Sequence, residues 1–210
     1  MNDVLSDSSK FVLVNDDCYK LSQRLETRLN QFLLSLFKAG KIDKNTYDCL
    51  RATGSYPGKL YGLPKTHKTN VPVRPILSAV TCHNYRLAKF LVPLLAPLAS
   101  SDFSVSDVFN FSNEIRQRSD SSRLLMVSLD IESLFTNVPV SETIDIILSK
   151  LFPDGIGVYH GFSRTEFSTL LKLAVEDSFF TFDSKLYKQT DGMAMGSPLG
   201  LLCANIFLSP

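Results

Sequence analysis

Apolar side chains recur at helical spacing at Leu21, Leu25, Leu29, Phe32, Leu33, Leu36 and Phe37, which predicts one long amphipathic helix stopped by Gly40. A shorter helix is expected from an Asp43 cap to Leu50. The period returns from Asn84 through Leu87, Phe90, Leu91 and Leu94, with Pro93 bending or ending the element. It returns again over Ser106 to Arg118, where Val108, Phe111 and Ile115 form the face to be buried. Ser141 opens a further helix through Ile144, Ile147, Leu148 and Leu151, and Ser163 opens one over Arg164 to Asp177.

Other stretches depart from that period. Gly54, Pro57, Gly58, Gly62 and Pro64 forbid a helix, so Lys59–Leu63 and Val71–Leu77 are expected as the arms of a hairpin. Its tip would carry Lys65, Thr66, His67, Lys68, Thr69 and Asn70. The run FFTFDSKLYKQ reads as a second hairpin turning at Asp183 and Ser184. Leu124, Leu125, Met126 and Val127 are a short apolar run suited to a strand buried on both faces, with Asp130 close behind it. A carboxylate there calls for a metal ion, a basic partner or water. After the second hairpin, DGMAMGSPLG places Gly192 and Gly196 before Ser197 as cap and Pro198 at the first helical position. Such a loop feeding a helix can seat a nucleotide or a strand backbone, and it can equally be an ordinary tight connection.

With 210 residues, 44% of them hydrophobic, the chain can bury a core as one domain or somewhat more. Its four cysteines form no C-x-x-C pair, and His67, His83 and His160 have no zinc-ligand spacing; reduced intracellular thiols are expected. The N-terminus lacks a signal-peptide pattern, and Leu87–Ala99 is short and holds Lys89, Pro93 and Pro97, so no membrane segment is expected. The net charge of +1 hides a division. Residues 1–100 hold 14 Lys and Arg against 7 Asp and Glu, and residues 101–210 hold 8 against 14. No acidic residue falls between Asp48 and Asp102, an interval that contains Arg51, Lys59, Lys65, Lys68, Arg74, Arg86 and Lys89. Those cations either bind an anionic ligand or pair with the acidic half.

Three of these stretches, in this order, carry a family likeness. YGLPKTHK with VPVRPILS, VSLDIESLFTNVP, and FFTFDSKLYKQTDGMAMGSPLGLLCANIFL together resemble the reverse transcriptases of Penelope-like retroelements. The likeness covers most of residues 21–210. It implies an α+β, right-hand polymerase fold: fingers plus a partial palm, with helices packed on a small antiparallel sheet. Residues 1–20 would then be a polar, disordered leader, residues 21–120 a helical lead-in and fingers, and residues 121–210 the palm portion.

By resemblance, Lys65 and Arg74 meet the incoming triphosphate. Asp130 is the catalytic, metal-binding carboxylate, with the Ile131 carbonyl as a second ligand. The Phe135 ring rejects a 2′-hydroxyl. Gln189, Gly192, Gly196, Ser197 and Pro198 support template and nucleotide. On charge rather than resemblance, Lys59, Lys68 and Arg86 are expected to contact nucleic acid. The implied reaction is RNA-directed DNA synthesis: two Mg²⁺ ions, an RNA template, a DNA primer and deoxynucleoside triphosphates, in the nucleus. Magnesium takes oxygen ligands, so carboxylates rather than His or Cys would hold it.

The family's adjacent Asp pair has no counterpart before Pro210; Asp16-Asp17 lies on the wrong side of the fingers. The expectation is therefore a fragment that does not polymerise DNA by itself. Two other readings stand beside it: a polymerase remnant that binds nucleic acid without catalysis, and an unrelated helical scaffold with Asp130 buried against Arg or Lys.

Overall fold

The computed structural model describes residues 5–66, 69, 71, 73–100, 105, 107–117, 125, 127–131, 133–194 and 196–209. Its elements in chain order are strand β1 (Phe11–Leu13), helix α1 (Cys18–Lys38), helix α2 (Lys44–Leu50), strands β2 (Gly58–Pro64) and β3 (Val73–Ser78), and helix α3 (Tyr85–Leu95) with a 3-10 turn, Ala96–Ala99. Helix α4 (Val108–Gln117), the single turn α5 (Leu134–Asn137) and helix α6 (Val140–Leu151) follow. The remainder is β4 (Val158–Tyr159), β5 (Phe162–Ser163), α7 (Arg164–Val175), β6 (Phe179–Phe182), β7 (Lys185–Gln189) and α8 (Gly200–Leu208). This is an α+β architecture, as expected.

Local chemistry explains most boundaries. Asp17 caps α1 by accepting from Lys20 N, and Asp43 caps α2 by accepting from Thr46 N. Ser163 and Glu166 form a capping box at α7, with Glu166 Oε2 accepting from Ser163 N at 2.7 Å. Asp183 and Ser184 both sit at positive φ, the two-residue turn that matches strand twist between β6 and β7. Pro93 does not end its helix; α3 runs two residues beyond it.

The large core lies among α1, α3, α6, α7 and α8. Leu29, Leu33, Leu87, Leu91, Leu95, Ile147, Phe167, Leu170, Leu171 and Leu199 are all sealed there. A smaller core of Phe11, Leu60, Leu77, Phe180 and Ala194 backs one face of a five-stranded sheet ordered β1-β7-β6-β2-β3. Three of its pairings are antiparallel. The seam between β2 and β6 is parallel, Gly58 with Phe180 and Lys59 with Thr181, a departure from the antiparallel sheet expected.

Three expectations fail. The N-terminus is not a featureless leader, because Phe11, Val12 and Leu13 pair with β7 and bury Phe11 in the small core. Val108 and Phe111 are exposed, as is Phe109 at 80%, because no described element covers that face of α4. Finally, Leu125 and Val127, expected to be buried in a strand, are exposed, as is Leu129 at 90%; Leu124 and Met126 lie outside the described residues. A buried strand needs a ladder partner on each side and apolar cover, and Leu125, Val127 and Leu129 pair with neither edge of the sheet.

Candidate functional site

The glycine loop between β7 and α8 is the point where the three sequence motifs meet. Gly196 has φ +90, and a Cβ there would lie 1.9 Å from the Leu77 carbonyl oxygen, so the loop backbone rests directly on the root of the β2–β3 hairpin. Gly192 has φ +84, and its Cβ would stand 2.7 Å from Thr136 Cα in the turn that follows Asp130. Only glycine fits either place. Met193 N donates to the Phe135 carbonyl at 2.8 Å, and Gly200 approaches the Phe135 ring.

Buried Gln189 locks this arrangement from inside. Its Nε2 donates to the carbonyls of Asp191 at 2.9 Å and Met193 at 3.3 Å, so the side chain spans the loop it precedes. Asp191 turns outward, accepting from Val140 N at 3.1 Å at the start of α6. Gln189 therefore acts as a structural brace, a role the resemblance did not indicate. Ser197 does not cap the first turn of α8 as expected. The helix starts at Gly200, and Ser197 and half-buried Pro198 belong to the turn before it, where Ser197 Oγ accepts from Leu199 N at 3.3 Å.

The hairpin presents its cations away from the small core. Register pairs Lys59 with Ser78, Tyr61 with Ile76, and Leu63 with Arg74, so Lys59, Tyr61 and Arg74 share one face. Leu60 and Leu77 take the other face and are buried. Lys59 and Arg74 are exposed, and Lys65 is half-buried just past the end of β2. Lys68 lies outside the described residues. Arg86, expected at nucleic acid, turns its guanidinium toward the carbonyls of Cys49 and Arg51, each 3.5 Å away, at the C-terminal end of α2. That placement satisfies helix-end acceptors.

Asp130 and Ile131 are exposed in irregular chain just ahead of the turn. Exposure removes the scaffold reading in which Asp130 is buried against a cation. Asp130 and the Ile131 carbonyl are hard oxygen donors, the class that magnesium takes. Among the described residues no three His, Cys, Asp or Glu stand close enough together to hold a metal ion. Glu132, a second carboxylate two positions after Asp130, lies outside the described residues.

Behind the hairpin root is a buried polar knot. Burial first, and then the charge of Arg28, pushes the His83 imidazole down to about 4, against the pull of Asp177 and Glu26. His83 Nε2 has no hydrogen-bond partner among the described residues, although a narrow cavity lined by Ser22, Ser55, Tyr56, Cys82 and Asp177 adjoins the ring. Burial raises the Asp177 carboxyl, but Arg28 at 2.6 Å and Lys188 at 3.3 Å outweigh it and hold the group below its usual value. Burial lifts the thiols of Cys82 to about 11 and Cys203 to about 12, which leaves both protonated and unreactive.

Compared with models of known protein families and with curated proteins, the chain matches none. No helix among the described residues is long and apolar enough to cross a membrane. Sequence reasoning missed Thr136, Thr190 and Asp191 as parts of the site. Their neighbours Phe135, Gln189 and Gly192 were legible, but short polar side chains that bond within a turn leave no periodic signal.

Proposed function

We propose that this chain is the fingers and part of the palm of a Penelope-like, RNA-directed DNA polymerase, and that it grips nucleic acid and nucleotide at the junction of hairpin, turn and glycine loop. The observation that carries the reading is the convergence of three motifs far apart in sequence. Gly196 rests on Leu77, Gly192 rests on Thr136, and Met193 bonds Phe135. At both glycines backbone touches backbone, an approach that any larger side chain would prevent.

In this reading Lys65 and Arg74 approach phosphate from the hairpin, Lys as a point charge and Arg as a fork to two oxygens. Phe135 forms the wall beside the sugar. Its backbone is fixed by Met193, so the ring has a defined place before ligand arrives. Asp130 and the Ile131 carbonyl would be magnesium ligands together with at least one further carboxylate. Partners would be an RNA template, a DNA primer and deoxynucleoside triphosphates, met inside the cell and in the nucleus.

The test is binding of a short RNA–DNA duplex, followed by anisotropy between about 50 and about 200 mM salt. Affinity should fall steeply across that range and be largely abolished by Lys65→Glu with Arg74→Glu. Binding indifferent to both salt and charge reversal would overturn the reading. Primer extension then separates grip from chemistry. Asp130→Asn should leave duplex affinity unchanged, and if a catalytically competent form extends primers, the same substitution should abolish extension.

A further inference from the structure

Lys10 stands at the entrance to β1, on the rim of the same site. Its backbone and its neighbours are held in place; Lys10 N donates to the Asp7 carbonyl at 3.1 Å. Thr190 N donates to the Lys10 carbonyl at 2.9 Å, and Thr190 Oγ1 donates to the Ser9 carbonyl at 2.6 Å. Next door, Phe11 packs edge-on against Phe180 with ring centroids 5.8 Å apart. From this anchored position Lys10 Nζ reaches Thr136 Oγ1 at 3.5 Å. Thr136 is the residue against which Gly192 packs, and its neighbour Phe135 is bonded to Met193. The ammonium therefore sits where the glycine loop meets the turn after Asp130.

That ammonium is under-used. Lys10 is half-buried, forms no ion pair with a described carboxylate, and spends one of its three donors on a long contact to a hydroxyl. Asp191, the carboxylate of the adjoining loop, is already engaged with Val140 N. Partial burial of a cation is unfavourable without a counter-charge. Thr136 and Thr190 supply neutral groups, and Asp7, whose carboxyl is held below its usual value first by the Ser9 hydroxyl and also by the charge of Lys10, is exposed and already accepts from Ser9. An anion entering between loop and turn would satisfy both needs.

We propose that Lys10 is a phosphate-binding residue of this site, delivered by the N-terminal strand. The inference rests on the polymerase reading and adds to it a cation from outside its three motifs. The phosphate is either that of a nucleoside triphosphate or that of a strand backbone; the chemistry is the same and the probes tell them apart. Because β1 is laddered to β7, the ammonium is pre-positioned, and binding need not order a free segment.

Four proteins decide it: the wild type, Lys10→Met, Lys10→Arg, and Lys65→Met with Arg74→Met. Each is titrated with a fluorescent deoxynucleoside triphosphate and, separately, with a short single-stranded oligonucleotide. Lys10→Met should weaken one probe about tenfold, the loss expected for one hydrogen bond to a charged group, at an unchanged melting temperature. Lys10→Arg should retain most of the affinity, and the probe affected names the phosphate source. If the Lys65/Arg74 protein loses binding while Lys10→Met loses none, Lys10 has no such role and the polymerase reading stands. If Lys10→Met binds poorly only because it melts early, and Lys10→Arg restores melting without affinity, Lys10 is a strap and the inference is overturned. A wild type that binds neither probe removes both.

Discussion

Two regions of this molecule carry the same kind of sequence and meet opposite fates. Helix α7 is amphipathic and sinks Phe167 to complete burial, whereas α4, of similar length and pattern, leaves Phe109 at 80% exposure. Likewise the apolar residues of β6 seal Phe180 into a core, while Leu125, Val127 and Leu129 stand in solvent. Periodicity describes what a segment is able to bury. Whether it does so depends on a complementary surface, which is a property of the whole chain rather than of the segment.

The sharpest way to break this contrast is at the glycine loop. Gly196→Ala forces a Cβ into the Leu77 carbonyl and should cost at least about 3 kcal/mol, a large share of the roughly 5–15 kcal/mol that holds a domain folded. Gly155→Ala, at a similar positive φ but with nothing within 4 Å, should cost only about 1 kcal/mol. Urea denaturation of both proteins measures the difference, and equal losses would show that the loop does not bear on β3.

The aromatic pair comes next. Phe167→Ala should destabilise by about 3–5 kcal/mol, and Phe109→Ala by less than about 0.5 kcal/mol. A large effect at Phe109 in urea melts would mean that α4 is covered in solution.

Acid sensitivity should follow from His83. Its folded value, about 4, lies below the ordinary 6.5, so the unfolded chain takes up the proton first as pH falls. The stability contribution is complete above about 6.5 and drains away between 6.5 and about 4, a loss of roughly 3 kcal/mol at the limit. Denaturation midpoints at about pH 7 and about pH 5 should differ, and His83→Asn should flatten that slope. Smallest of all is Asp130→Asn. With the carboxylate exposed, stability should change by less than about 0.5 kcal/mol. A rise of several kcal/mol in either direction would place Asp130 in contact with a charge.

The legible parts of the fold were those fixed by neighbours in sequence. Asp43 and Ser163 as caps, Gly40 as a stop at φ +68, and Asp183-Ser184 as a turn depend on a few adjacent residues, and each is found where expected. The burial expected of Leu125 and Val127 was misjudged because burial on two faces requires partners from elsewhere. β1 was overlooked for the converse reason: Phe11, Val12 and Leu13 are too few to show a period, and β7 recruits them. At the site, the glycines at 192 and 196 were visible as permissive positions, but that they close on Thr136 and Leu77 was not. Arg86 was assigned to nucleic acid on charge alone, while its geometry serves the end of α2.

The parallel seam between β2 and β6 has a consequence for how the protein is made. It zips residues 58–59 to residues 180–181, so during synthesis the hairpin must wait with one flank bare while the intervening helices emerge from the ribosome. Closing so long a detour slows assembly, and it leaves the nascent hairpin open to pairing with the wrong neighbour until β6 arrives.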